Sequence, residues 1–221
     1  MSISIWSFDD GYGDNKLYNG SKVEIIPSHC TTWKPRMKSE LSSKELDPLS
    51  HLGVEVEGMR DRFLVGQGAL EQSSSLTWAG GNNKHKDFYF PVVAKACLGV
   101  MSGKLAKVDV DVLVMGLPVK AEESDERHEL LQETMIGEHK VLMSYADGKR
   151  SKKEITVKEL ITKKQPFGTF CDIILGKNGE ISDRDLASQF NVIVDIGTRT
   201  LNIYTLDALE PITELSDTRN Q

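Results

Sequence analysis

Hydrophobic and polar positions alternate from the start of the chain. Ile3, Ile5 and Ser7 fall on one side of an extended segment, Trp6 and Phe8 on the other, and Asp10-Gly11 follows. Period-two alternation closed by an Asp-Gly pair predicts a strand entering a hairpin. Residues 16–30 carry Leu17 and Val23-Glu24-Ile25-Ile26 around Asn19-Gly20 and predict the returning strands. From Cys30 to about His85 the texture turns polar, rich in Ser, Lys and Glu. It is broken by strand-like pieces at Leu52–Val56 and Phe63–Val65. This stretch is expected to form a small subdomain or insertion with few core residues.

Between Phe88 and Met101, apolar residues recur at Phe90, Val93, Ala94, Ala96, Cys97, Val100 and Met101, the spacing of a buried helical face. Val108–Met115 predicts a strand buried on both sides, stopped by Gly116-Leu117-Pro118. A charged helix is expected over Glu123–Thr134, then strands at His139–Tyr145 and Glu154–Ile161 around Asp147-Gly148. Gln165-Pro166-Phe167-Gly168 opens a helical segment, since Phe167, Phe170, Cys171, Ile174 and Leu175 share one face and Pro suits a first helical turn. Phe190–Tyr204 repeats the opening of the chain: an apolar strand, Asp195-Ile196-Gly197, a short polar turn and a second β-prone run. Strands alternating with helices point to a layered α/β fold.

The 221 residues suit one large domain or a domain and a half, and 39% hydrophobic content supplies a core. With 27 basic against 33 acidic residues, the net charge of −6 has the wrong sign for gripping phosphate backbones directly. Cys30, Cys97 and Cys171 lie far apart and are odd in number, which reads as small buried hydrophobes in a reducing cytoplasm. The N-terminus reaches Asp9-Asp10 before a signal-peptide core forms, and no apolar run approaches the roughly 18 residues of a membrane helix. His29, His51, His85, His128 and His139 lack metal-ligand spacing. Lys149-Arg150-Ser151-Lys152-Lys153 lacks interleaved aromatics and reads as a solvated hairpin tip or a contact between protein copies. Trp33 and Trp78 fall in the polar insertion, as interface aromatics or a small local core.

The chemistry concentrates in two loops, Asp9-Asp10-Gly11-Tyr12-Gly13-Asp14-Asn15-Lys16 and Asp195-Ile196-Gly197-Thr198-Arg199-Thr200. In a tight hairpin, Gly permits close backbone approach, so that successive N–H groups can converge on a phosphate oxygen. Strand-end carboxylates can hold Mg²⁺ through its waters, and Lys16 would add a point charge. Taken singly, each loop is equally compatible with an ordinary hairpin, Lys16 with a solvated lysine and Gln165 with a helix-capping residue.

Together and in order, the two loops resemble the first and second phosphate motifs of the actin, Hsp70 and sugar-kinase superfamily. The likeness narrows toward ParM-like (StbA-type) plasmid-segregation actins. Phe8-Asp9-Asp10-Gly11 with Lys16-Leu17 is similar to their opening motif, and Phe63-Leu64-Val65-Gly66 with Ala69 to a strand of their small subdomain. Val112–Val119 resembles their core strand and loop, and Ile155-Thr156-Val157 leading to Gln165-Pro166-Phe167-Gly168-Thr169-Phe170 their connection to the hinge helix. The resemblance implies an actin-like ATPase (ribonuclease H-like) α/β fold. Residues 1–30 and 86–165 would form most of the first domain, 31–85 a subdomain insertion, and 166–221 the hinge helix and the start of a truncated second domain.

The same resemblance assigns roles. Gln165 falls where the family places the Glu or Gln that orients the attacking water, and Asp9 and Asp195 fall on the two carboxylates at Mg²⁺ and its water shell, Asp195 also acting in catalysis. Asp10, Gly11, Tyr12, Gly13, Asn15 and Lys16, with Gly197, Thr198, Arg199 and Thr200, are expected around the phosphates of ATP, or of GTP. Thr198 departs from a frequent Gly and Asn202 from a frequent Asp, which puts the geometry of the second loop in question. The implied function is a polymerising cytoplasmic ATPase whose filament moves plasmid DNA through an adaptor bound to a centromere-like site, with no direct nucleic-acid or membrane contact. A small-molecule kinase of the same superfamily and a non-catalytic interaction fragment are the rival readings. The base-reading segment is expected beyond Gln221, so this chain alone should hydrolyse nucleotide weakly.

Overall fold

The computed structural model describes residues 3–33, 47–72 and 84–220, so Trp78 lies outside the described residues. A nine-stranded sheet is built from β1 (Ile5–Asp10), β2 (Asp14–Tyr18), β3 (Val23–Pro27), β4 (Cys30–Thr32), β5 (Leu52–Val56), β6 (Arg62–Val65), β7 (Lys107–Leu117), β8 (Gly137–Ser144) and β9 (Arg150–Lys164). Its order is β3-β2-β1-β7-β9-β8-β5-β6-β4. The central strands β1, β7 and β9 run parallel, with Ser7 beside Val114 and Val114 beside Ile161. The flanking pairs are antiparallel.

Alternation in β1 and β2 places Trp6, Phe8 and Leu17 in the core and leaves Ile3 and Ile5 exposed. The helices are α1 (Gln67–Gln72), α2 (Phe90–Met101), α3 (Val119–Glu122), α4 (Asp125–Met135), α5 (Gln165–Ile174) and α6 (Arg184–Ala187). Ten of the twelve residues of α2 are buried, as expected of a helix that is apolar almost all round. In α4, Ser124 caps the N-terminus by accepting from the Arg127 N–H, and Asp125 and Glu126 in the first turn complement the helix dipole.

The 31–85 stretch differs from the expectation of few core residues. Its strands β4, β5 and β6 join the same sheet through the β5–β8 pairing, and Leu52, Val54, Phe63 and Val65 belong to the main core cluster. Short alternating strands such as Leu52-Gly53-Val54-Glu55-Val56 bury one face completely even within a polar stretch.

The second sheet consists of β10 (Phe190–Ile196), β11 (Thr200–Asp207), β12 (Glu210–Pro211) and β13 (Asp217–Asn220), with β11 pairing to the other three. Its core is small: Val119, Phe170, Ile174, Ala187, Tyr204 and Leu206, the first of them supplied by α3 and the next two by α5. No helix among the described residues is long and apolar enough to cross a membrane.

Candidate functional site

The parallel strands β1, β7 and β9 end together at Asp9, Gly116 and Lys163. In open α/β sheets the crevice beyond such carboxyl ends is where ligands bind. A polar cleft of about 240 Å³ opens there, walled on one side by Asp9, Gly11, Tyr12, Gly13, Asp14 and Lys16 and on the other by Asp195, Ile196, Gly197, Thr198 and Thr200. Gln165 and Thr169 of α5 form its floor. The two loops touch: a methyl group added at Gly13 would run into the Thr198 side chain.

Gln165 does not cap its own helix, for which Lys164 is the N-cap residue without a side-chain bond. Its Nε2 instead donates to Asp9 Oδ1 at 2.6 Å and more weakly to the Gly116 carbonyl at 3.5 Å. Gly116 allows this approach, since a Cβ there would lie 3.1 Å from the Gln165 Cγ. Asp9 Oδ2 accepts from Lys16 Nζ at 3.1 Å, and Asp9 holds the ammonium above its ordinary pKa. Asp195 and Asp14 add smaller effects of the same sign. Asp195 Oδ2 accepts from Asn202 Nδ2 at 3.0 Å. Two carboxylates and an amide around one polar cleft fit Mg²⁺, which binds through one or two carboxylates while phosphates and water fill its remaining positions.

The first loop is fixed from behind. Ser28 Oγ donates to the Gly11 carbonyl at 2.6 Å and Lys84 Nζ to the same oxygen at 3.2 Å. In a planar trans peptide the C=O and the next N–H point opposite ways, so holding the Gly11 carbonyl turns the Tyr12 N–H away from Ser28 and Lys84. Neither the Tyr12 nor the Gly13 amide donates to a backbone acceptor among the described residues. Burial pushes the Tyr12 phenol above its ordinary pKa.

Asp10 and Asn15 are not brought to the cleft. Period two puts Asp10 on the same face as Trp6 and Phe8, and Asn15 on that of Leu17; both are buried, at 2% and 0% exposure. Asp10 binds Lys84 Nζ at 2.8 Å and His85 Nε2 at 2.7 Å. Burial pushes the Asp10 carboxyl up, but Lys84 and His85 outweigh it and the pKa falls below the ordinary value. His85 is lowered by burial, partly offset by Asp10. Arg199 sits at the exposed tip of the second loop, where its charge reaches Tyr12 and His29.

Sequence reading missed Lys84, His85, Ser28, Asp14 and Thr169. Strand parity was the available signal for Asp10 and Asn15, but no local pattern marks Lys84, whose partner Asp10 lies 74 positions away. Cys30 and Cys97 are buried and burial raises their thiols; Cys171 is partly buried and raised for the same reason. His29 and His139 are likewise lowered by burial. Trp33 stacks on Arg62, with the guanidinium carbon 3.6 Å from the ring centroid, and packs edge-on against His51.

Comparison with known proteins places this geometry. No curated protein matches the chain. Among solved structures, the apo psk41 ParM protein superposes with a TM-score of 0.78 at 19% identity, covering 100% of this chain and 67% of that one. A 15-stranded ParM filament from Clostridium botulinum gives 0.75 at 21% identity, covering 100% and 64%. An AlfA filament bound to AMPPNP gives 0.66 at 17% identity, covering 99% and 70%. The chain thus spans about two thirds of the length of these structural neighbours. The family described as "Actin like proteins N terminal domain" matches residues 7–168. With that match over most of its length and the fold of ParM-type structures throughout, the chain belongs to the actin-like proteins, covering their N-terminal part.

Proposed function

We propose that this chain is the nucleotide-binding part of an actin-like ATPase that holds Mg²⁺·ATP between its two sheets and polymerises into filaments that segregate plasmid DNA. The observation that carries the reading is the convergence of Asp9, Gln165 and Asp195 with two glycine loops on one polar cleft. The AlfA filament carries AMPPNP, and the Clostridium botulinum ParM is itself a filament. These likenesses support nucleotide binding and self-association here.

Tyr12 and Gly13 amides, Lys16, Gly197, Thr198 and Thr200 would bind the β- and γ-phosphates, with Arg199 at the rim. Asp9 and Asp195 would hold Mg²⁺, which supplies charge neutralisation on the phosphates when bound. Phosphoryl transfer to water needs alignment and charge stabilisation more than covalent help. Gln165 donates its amide N–H to Asp9, which leaves Oε1 to accept a hydrogen from a water and aim its lone pair at phosphorus. ATP is the first expectation and GTP the alternative. Residues 1–30 with 86–165 are read as the first domain, 31–85 as its insertion and 166–221 as the start of the second. A net charge of −6 favours an adaptor protein between filament and DNA, and the three scattered cysteines fit a cytoplasmic place.

Calorimetric titration of ATP with Mg²⁺, beside light scattering with and without nucleotide, tests the reading. Magnesium-dependent binding and nucleotide-dependent assembly are the expected results. Absence of nucleotide binding would leave an interaction fragment, and phosphate transferred to an added sugar rather than to water would make the protein a kinase.

A further inference from the structure

The helix α3 has no cap of its own. Its N-cap residue is Pro118, which makes no side-chain capping bond, although the first N–H groups of any helix need acceptors. The acceptors come from the second sheet: the Val119 N–H donates to Asn202 Oδ1 at 3.3 Å and the Lys120 N–H to Thr218 Oγ1 at 3.1 Å. Asp195, Asn202 and Thr218 lie side by side across β10, β11 and β13. Thr218 Oγ1 donates to Asn202 Oδ1 at 2.8 Å, and Asn202 Nδ2 donates to Asp195 Oδ2 at 3.0 Å.

This arrangement fixes which way the Asn202 amide points. Its oxygen receives two donors, so its nitrogen must face the carboxylate. Asn202 is fully buried, and Val119 contributes to the core of the second sheet, so the bond between them is shielded from competing water. The same β7–α3 junction also reaches Gln165 through the Gly116 carbonyl. One short segment of the first sheet's body therefore bonds both Gln165 and Asn202.

We propose that Asn202 and Thr218 form an interdomain latch, capping α3 from the second sheet and, through the Asn202 amide, orienting Asp195. Asn202 is then a positioning residue that senses whether the two bodies are closed: separation removes the Val119 donor, leaves the Thr218 hydroxyl as the one remaining donor to Oδ1 and loosens the hold of the amide on Asp195. The latch rests on the proposed nucleotide cleft only for the purpose that Asp195 serves.

Hydrogen exchange on the full chain, followed by NMR at the Val119 and Lys120 amides and at the Asn202 side-chain Nδ2 protons, tests it without nucleotide. Thr218→Val should speed exchange at Lys120 about fivefold, the effect of losing one cap. It should also speed the Asn202 Nδ2 protons, because their amide is no longer pinned. Asn202→Ala should speed Val119, whereas Asn202→Asp keeps an acceptor there and should restore slow exchange. Unchanged rates in Thr218→Val overturn the capping, and faster exchange at Lys120 with unchanged Asn202 Nδ2 protons overturns the coupling to Asp195. If Asn202→Ala does not fold, Thr218→Val decides alone. A chain that binds no Mg²⁺·ATP would defeat the proposed function and leave these exchange results standing.

Discussion

Both walls of the cleft carry an Asp-x-Gly hairpin, yet they are built to different standards. The first loop belongs to a nine-stranded sheet with a continuous core and is gripped from behind by Ser28 and by a buried Lys84–Asp10–His85 cluster. The second belongs to a four-stranded sheet whose small core borrows residues from α3 and α5. Its edge strand β10 exposes Phe190, Val192, Val194 and Ile196, each more than half exposed. The comparison teaches that one motif can be rigid through burial in one body and, in the other, depend on contacts made across the boundary. Local opening should therefore begin in the second sheet, where fewer buried apolar contacts resist it.

Four measurements can break or sharpen this contrast. The largest effect is expected from Lys84→Met, which leaves the buried Asp10 carboxylate without its cation and with His85 as its one side-chain partner among the described residues. It should cost about 3–5 kcal/mol of unfolding free energy in urea. A loss under about 1 kcal/mol would show that the buried cluster does not hold the first half together. Next, Gln165→Ala should lower nucleotide hydrolysis by about 100-fold while leaving nucleotide affinity nearly unchanged. A drop confined to affinity would make Gln165 a binding residue.

The third is a pH titration of stability. His29, His85 and His139 all belong to the first body, and burial lowers each below 6.5 in the folded state. The unfolded chain then binds more protons just below pH 6.5, so their contribution is fully present above that value and is lost as pH falls toward the lowered values. Asp10, also lowered, adds a further loss as pH drops below 3.8 and through its folded value. The sequence has no histidine after His139, so exchange protection in the second sheet should not change near pH 6. Equal loss in both bodies would remove this distinction. The smallest effect is expected from Val194→Thr on the exposed face of β10, within about 0.5 kcal/mol by thermal melting. A larger destabilisation would mean that this face is covered in solution.

Much of the fold was legible because it is written in local periods. Alternation in Ile3–Phe8, the helical spacing of Phe90–Met101 and the apolar run at Val108–Met115 each correspond to an observed element. What escaped were elements with no apolar signature of their own. β13, Asp217-Thr218-Arg219-Asn220, contains no hydrophobic residue and exists because β11 offers it a ladder. In the 31–85 stretch β5 and β6 were legible as strands, but their membership in the main sheet depends on β8, a long way down the chain.

The sequence by itself determined the main strands, the three longest helices and the two loops. Hydrophobic period and turn residues act over a few positions, and burial follows from them. The tertiary structure alone decided what the polar residues do. Asp10 turned from a phosphate neighbour into the anchor of a buried cation because strand parity sends it inward, where Lys84 and His85 wait. Gln165 became a partner of Asp9 across 156 positions, and Asn202 a cap for Val119 across 83. A buried polar group must find a partner, and where that partner comes from is settled only when distant segments meet.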